Sequence, residues 1–491
     1  MSGWDAAESA AERALAASRA DGCAVIVDGE ETAQVRWAEN AVTTAGLVRD
    51  QRITVVAFAA GRQGTATAAV TRHGDPADDV ARLVAEAERA ARESPASPDA
   101  MPLLAPDETR GDSGRASGSE MAADSCEQDG GAAWLTAFGG GLKAAVARAR
   151  EDRHVLFGYA EHAVRTTYLA TSTGVRARHR WRDGLIDLTA RDARDERASA
   201  WGGIPLPSTG PFDATAALAC LRAELAERVR WAGRRAALPP KARGSRGGLE
   251  VLFSPSCVAD LLLYLYEALD ARDALEGASP FATPDGMPRI GERLAAPGLT
   301  LRSDPAMPGL ECAPFAVARA PGGTVSVFDN GFPLEPTRWL DDGALTALVQ
   351  TRHSAKASGL PVTPRIGNLR LEGPSGSDGA EGSSGGRTLR AMVADTERGL
   401  LVNSLWYLRP TDPRTLALTG STRDGVYLVE RGEVVGALDD FRFSEQVVPL
   451  LARVTEVGRA LPALAREWDD TLSRTAVPPL RVEGVTAYNT R

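Results

Sequence analysis

Histidine, cysteine and lysine are scarce in this chain of 491 residues. Its five histidines are His73, His154, His162, His179 and His353, and no two of them stand one helical turn apart. A helical zinc-hydrolase motif needs two such imidazoles facing one metal and a carboxylate to activate water, so the chain carries no motif of that kind. The five cysteines are odd in number, scattered and without a CxxC pair, a pattern that fits a reduced cytoplasm. Lysine occurs only at Lys143, Lys241 and Lys356, so arginine carries almost all the positive charge. With a formal net charge of −9 and a pI near 5.4, the chain lacks the basic stripe of a nucleic-acid binder. Long apolar runs are missing too. The longest cluster, at 261–265, is bracketed by Asp260 and Glu267, short of the roughly 18 residues of a membrane span. The first 22 residues are amphipathic and acidic, without a basic n-region or an apolar h-region, and predict no secretory leader. No phosphate-loop pattern points to a nucleotide site.

What is present is apolar content sufficient for about two to four domains. Residues 5–20 predict a helix. Short strands follow at 24–27, 34–38, 42–48, 53–60 and 64–70, with turn signals at Asp28-Gly29 and Ala60-Gly61. Residues 76–92 predict a helix with Val80, Leu83, Val84 and Ala87 on its apolar stripe. From 94 to 131 the composition shifts to Pro, Gly, Ser and Asp and predicts a long, exposed, flexible loop (95–131). Asp183-Gly184 reads as a two-residue hairpin turn that sets Arg180 against Asp187 and Trp181 against Ile186. Residues 212–235 predict a helix, and 238–244 a linker. The expected domains are therefore 1–237 and 245–491. The second opens with a strand at 249–253 and a helix at 256–273. An irregular Pro/Gly-rich stretch follows at 277–314, then strands, a Gly/Ser-rich loop at 373–386 and a final helix at 447–460. Without a βαβ rhythm, α+β is the expected fold class.

Residues 328–443 carry a resemblance. They include FDNGFPLEPTRWLDDGALTALVQTRHSAKASGLPVTPRIGNLRLEG and, further on, RGLLVNSLWYLRPTDPRTLALTGSTRDGVYLVERGEVVGALDDFRF. These stretches resemble the C-terminal half of the TldD/PmbA family, whose members form TldD–TldE pairs. Asn40-Ala41-Val42-Thr43-Thr44-Ala45-Gly46 resembles the family's early N-x-h-T-x-x-G strand, and Ser279-Pro280-Phe281 its SPF segment. The resemblance implies an N-terminal α/β domain and a large mixed-β C-terminal domain. In TldD-type subunits a helical HExxxH zinc motif follows a strand early in the C-terminal domain, and a late cysteine is the third ligand. The matching stretch here, 251–273, contains no histidine, and no cysteine follows Cys312. The chain therefore resembles the TldE-type (PmbA-type) partner.

Several constellations invite chemistry. His154 and His162 would lie about 26 Å apart on one strand at ~3.3 Å per residue, too far to share a metal, and read as structural or surface histidines. Arg176, Arg178, Arg180 and Arg182 read as a solvated strand face, with docking of an acidic partner or a peptide carboxylate as the rival. Arg352, His353 and Ser354, after an apolar helix start at 344–349, are groove candidates that the resemblance puts near a substrate. A Ser–His nucleophile is disfavoured because adjacent residues point different ways. Ser421, Thr422 and Arg423 lie in a polar loop, either a plain hairpin turn or part of the family's central site.

The leading expectation is a non-catalytic TldE-type subunit of a cytoplasmic zinc peptidase. It would hold no metal or cofactor itself, take zinc chemistry from a TldD-type partner in a heterodimer, and shape a groove for a peptide or small amide. Neither nucleic acid nor membrane is an expected partner. The alternatives are the same complex acting on an antibiotic-pathway intermediate, and a metal-free binding or regulatory protein, where the family's label as a modulator of DNA gyrase belongs.

Overall fold

The computed structural model describes residues 3–75, 79–109, 130–237, 249–374, 386–467, 472, 474–485 and 487–488. The first half is built on one six-stranded antiparallel sheet in the order β3-β2-β1-β4-β5-β6. Its strands are β1 (Gly22–Ala38), β2 (Ala41–Gly61), β3 (Gly64–His73), β4 (His154–Thr171), β5 (Arg176–Asp192) and β6 (Ser199–Pro205). Alternation along β1 sends Val25 and Val27 to a core with helices α1 (Gly3–Ala17) and α2 (Val80–Glu93). Ala24 and Ile26 go to the other face, against Phe315, Val327 and Phe328 of the second half. Further along, Ala33, Val35 and Trp37 pack under α3 (Gly131–Glu151), through Trp134, Phe138 and Leu142, in a core shared with α4 (Ala214–Ala232). The predicted stripe Val80, Leu83, Val84 and Ala87 is buried.

Two predicted turns lie inside strands. Asp28-Gly29 sits in the middle of β1, opposite Arg52 of β2 and Thr167 of β4. Its carboxylate bonds to Arg52 and Thr167 of the neighbouring strands and to Arg319 of the second half, so the charge is satisfied without a reversal. Asp183-Gly184 likewise lies in the continuous strand β5. Arg180 pairs with Thr166 and Trp181 with Arg165, so the expected Arg180–Asp187 pair does not form. The reversals fall elsewhere. Glu39 and Asn40, both at positive φ (52° and 62°), turn β1 into β2 as a type I′ turn requires.

Among the described residues, the second half holds two six-stranded sheets and one of four strands. Strand β7 (Leu249–Phe253) lies beside Arg398–Val402 in parallel and Leu480–Val485 in antiparallel. Helix α5 (Pro255–Glu267) follows at once, with Ser254 as N-cap and Pro255 in its first turn. It ends earlier than predicted, because Asp270 caps a separate short helix, Ala271–Leu275. The predicted helix start at 344–349 is extended, with a strand at Ala344–Leu345. The final helix stops at Ala452, where Val454–Val457 joins the sheet of β7. The architecture is α+β. The 238–244 linker and most of the 373–386 loop lie outside the described residues. So does 110–129 of the 95–131 loop, but 94–109 is not loose: Leu104 is buried and Asp99 accepts a hydrogen bond from Ser326.

Candidate functional site

A cleft of about 650 Å³ lies between the N-terminal sheet and the second half. One wall is sheet: Asp28, Glu30, Arg52, Arg165, Thr167, Trp181 and Asp183. The opposite wall is the extended segment 312–317 with Leu334, Arg365, Leu472 and Arg474. Five arginines line it, and each has a carboxylate of the same cleft within salt-bridge distance. Arg319 grips Asp28 with two bonds of 2.6 and 2.7 Å. Arg165 bridges Glu30 at 3.0 Å and also meets Asp183. Arg474 lies 3.4 Å from Asp183 and packs on Trp181. Burial pushes the Cys312 thiol up to about 11, so it stays protonated and is a poor nucleophile at neutral pH. His179, stacked on Trp181, is pushed by burial down to about 4 and stays neutral.

Asp28 ties the sheet to the second half. Burial opposes its charge, but Arg319, Thr167 and Arg52 outweigh that and hold the carboxyl below its usual range. A depressed folded value makes this stabilisation present above the unfolded Asp value of ~3.9 and lost as pH falls through the folded value. Asp28→Asn should cost about 2 kcal/mol at pH 7. Urea titrations of the two proteins should converge as the pH falls below about 4.

A second polar centre surrounds Arg466. Its guanidinium lies between the rings of Trp201 and Trp406, 4.7 and 4.8 Å from their centroids. It donates to Ser404 and Asp424, both at 2.8 Å. A smaller cavity of about 270 Å³ beside it is lined by Asp424, Tyr427 and Asp440, and burial with the nearby Asp424 charge pushes Asp440 up to about 6. On α5, Asp260 is fully buried and accepts from the Glu467 amide at 2.9 Å. Burial holds its carboxyl well above the usual range.

The predicted site residues fall into two separate settings. Arg352 begins the helix Arg352–Ser358, where its guanidinium is held by Asp329, Phe328 O and Pro102 O. Ser354 bonds through its amide to the capping Thr351. His353 is half-buried, with no hydrogen-bond partner among the described residues. Ser421 and Thr422 end the strand Ala417–Thr422, and Arg423 packs on Trp406 at 4.6 Å. The loop is not a hairpin turn: Ala417–Thr422 belongs to the four-stranded sheet and Val426–Glu430 to the sheet of β7, so these residues join two sheets. None of the six lines the large cleft. The arginines that alternate along β5 share one face of the strand, but it is not a solvated face: Arg176 pairs with Glu12, Arg178 packs on Trp4, and Arg182 is buried and donates to Pro207 O and Gly210 O. His154 and His162 are both buried on β4, as structural histidines. The cleft residues Arg165, Arg319, Arg365 and Arg474 went unnoticed in the sequence because they are far apart along the chain. The only local signal was an acidic Asp28 amid apolar strand residues.

Helix α5 carries Ser256, Cys257 and Asp260 but no imidazole, and Val258, Leu261, Leu262 and Leu265 are buried in the core. Among the described residues, no three His, Cys, Asp or Glu side chains come together to hold a metal ion. These residues do not fit a zinc ion. No helix among the described residues is long and apolar enough to cross a membrane.

Three solved structures share the fold. TldE from Thermococcus kodakarensis superposes with a TM-score of 0.72 at 17% identity, over 98% of this chain and 100% of that one. A protein of Thermotoga maritima, described as a candidate modulator of a DNA gyrase, gives 0.72 at 15% identity over 98% of this chain and 99% of its own. One of Bacteroides thetaiotaomicron, described in similar words, gives 0.71 at 14% over 99% and 98%. No curated protein matches the chain. Residues 246–488 match the family model of the PmbA/TldA metallopeptidase C-terminal domain. With that match on the second half and the same fold along the whole length, the chain belongs to the TldD/PmbA family.

Proposed function

We propose that this protein is the TldE-type, non-catalytic subunit of a heterodimeric peptidase. Helix α5 is the observation that carries the reading. It follows β7 where the family resemblance puts the zinc helix, yet its residues are apolar core, a capped N-terminus and a fully buried Asp260. Zinc, held by a TldD-type partner, supplies the hydrolytic chemistry. This chain supplies a wall of paired charges and a facing wall with Phe315, Leu334 and Leu472 that hold a peptide or small amide without reacting with it.

Co-purification with a TldD-type chain encoded beside it tests the reading. The expected result is a stable 1:1 complex that hydrolyses capped peptides or amides, with neither chain active alone and well under one zinc per isolated copy of this chain. Full activity from the partner alone, or hydrolysis by this chain alone, refutes it.

A further inference from the structure

Strand β2 is longer than the strand that covers it. Arg52–Gly61 pair with β3, while 41–51 run past the end of β3 with β1 on one side only. Gln51 is still met by the Gly74 amide at 2.8 Å. Among the described residues, no hydrogen bond from outside β1 reaches the main chain of 41–50. The Gly74–Gln51 bond shows that the odd positions turn their N–H and C=O outward. The register with β1 is unbroken from Gln51 to Thr44, so alternation gives Arg49, Leu47 and Ala45 the same orientation. Open edges are normally shielded by lysine, proline or a covering segment. From Ala41 to Val48 there is no charge and no proline. Val42, Leu47 and Val48 are 57%, 37% and 48% exposed. Charges stand only at the two ends, Glu39 at one and Arg49 with Asp50 at the other.

We infer that the β2 edge at 41–50 joins two copies of this chain, each adding its strand antiparallel to the other about a two-fold axis at Ala45. Such a pairing sets one edge against itself, so the edge must be self-complementary. About that axis Val42 of each copy faces Val48 of the other, and Thr43 faces Leu47. Arg49, 73% exposed even with Glu31 bound to it, faces Ala41 and lies diagonally beside Glu39 of the other copy. Asp50 faces Asn40, and no like charges stand opposite each other. Ala45 exchanges two hydrogen bonds with its own copy, and the odd positions on either side extend the ladder. A foreign strand would satisfy the main chain equally. The apolar match at the centre and the opposite charges at the ends favour a second copy. Of 39–50, only Asp50 lines the 650 Å³ cleft. The edge is therefore a surface apart from the cleft, and the inference does not rest on the proposed function. Its short length predicts a weak, reversible dimer.

Sedimentation velocity on the full chain alone, from about 1 to about 200 µM, tests it. The expected result is a monomer at the low end and a reversible dimer at the high end. Ala45→Pro removes an outward donor and leaves the ladder with β1 intact. It should weaken the dimer at least about fivefold while the circular dichroism stays that of the parent. Val48→Lys puts a charge at an exposed edge position and should have the same effect, and it carries the comparison if the proline variant does not fold. Glu39→Arg and Arg49→Glu should each weaken the dimer roughly fivefold, and together restore it to within about twofold. The inference is overturned by a chain that stays monomeric throughout, by a dimer that Ala45→Pro or Val48→Lys leaves intact, or by charge reversals that do not compensate one another. Slow amide exchange at 45, 47 and 49 in the dilute monomer also overturns it, because the chain itself would then already cover the edge. None of these outcomes depends on hydrolysis, so activity of the pair judges the proposed function separately.

Discussion

Asp329→Ala is expected to destabilise the protein by about 3–5 kcal/mol, read as a lower urea midpoint with little change in slope. Asp329 is 2% exposed and accepts from both the Nε (2.7 Å) and the amide (3.1 Å) of Arg352. The same guanidinium donates to Pro102 O at 2.7 Å and Phe328 O at 2.6 Å. One arginine thus ties the N-terminal half to the second half, and removing its carboxylate strands a guanidinium that is only 12% exposed. Burial nevertheless pushes the Asp329 carboxyl upward, despite Arg352 beside it. Desolvation therefore outweighs pairing here, and the pair is harmful to break but not strongly stabilising to have. Replacing both partners, Asp329→Leu with Arg352→Met, should recover roughly half or more of the loss. An Asp329→Ala protein as stable as the parent would show that Arg352 does not brace the two halves.

Gly184→Val is expected to cost more than about 3 kcal/mol, from backbone strain and overpacking together. Gly184 sits in β5 at φ +147°, and a Cβ there would lie 2.1 Å from the carbonyl oxygen of Glu161 on β4. That contact is with backbone, which cannot swing aside. Gly46→Val provides the control. Gly46 lies in a strand with nothing within 4 Å of an added Cβ, and its change should be close to neutral. Thermal melts of the two variants side by side give the comparison, and equal midpoints would rule out the close approach of β4 and β5.

Gly184 also shows how sequence reading of this protein goes astray. Asp-Gly between alternating residues is the strongest local hairpin signal, yet here the glycine answers a neighbouring strand. Helix α2 and strand β7 were legible because their apolar pattern is local. The candidate site was hardly legible. Arg352 stands out in sequence beside His353 and Ser354, but its partner Asp329 lies 23 residues earlier, and that pairing makes it a brace. The loop at 420–425 reads as a turn, although it hands the chain from one sheet to another.

By itself the sequence determined what depends on residue identity and short spacing: the α+β class, the helical stripes, the family, and the lack of an imidazole pair on the helix after β7. The tertiary structure decided what depends on partners distant along the chain. It merged the short strands into β1 and β2, because Asp28 finds its cations across the sheet and from the second half. It gathered arginines from 52 to 474 around one cleft, and it left one edge of 313–317 without hydrogen bonds among the described residues. No local pattern encodes these, because a main-chain edge carries no side-chain signature and a paired charge looks the same in sequence as a free one.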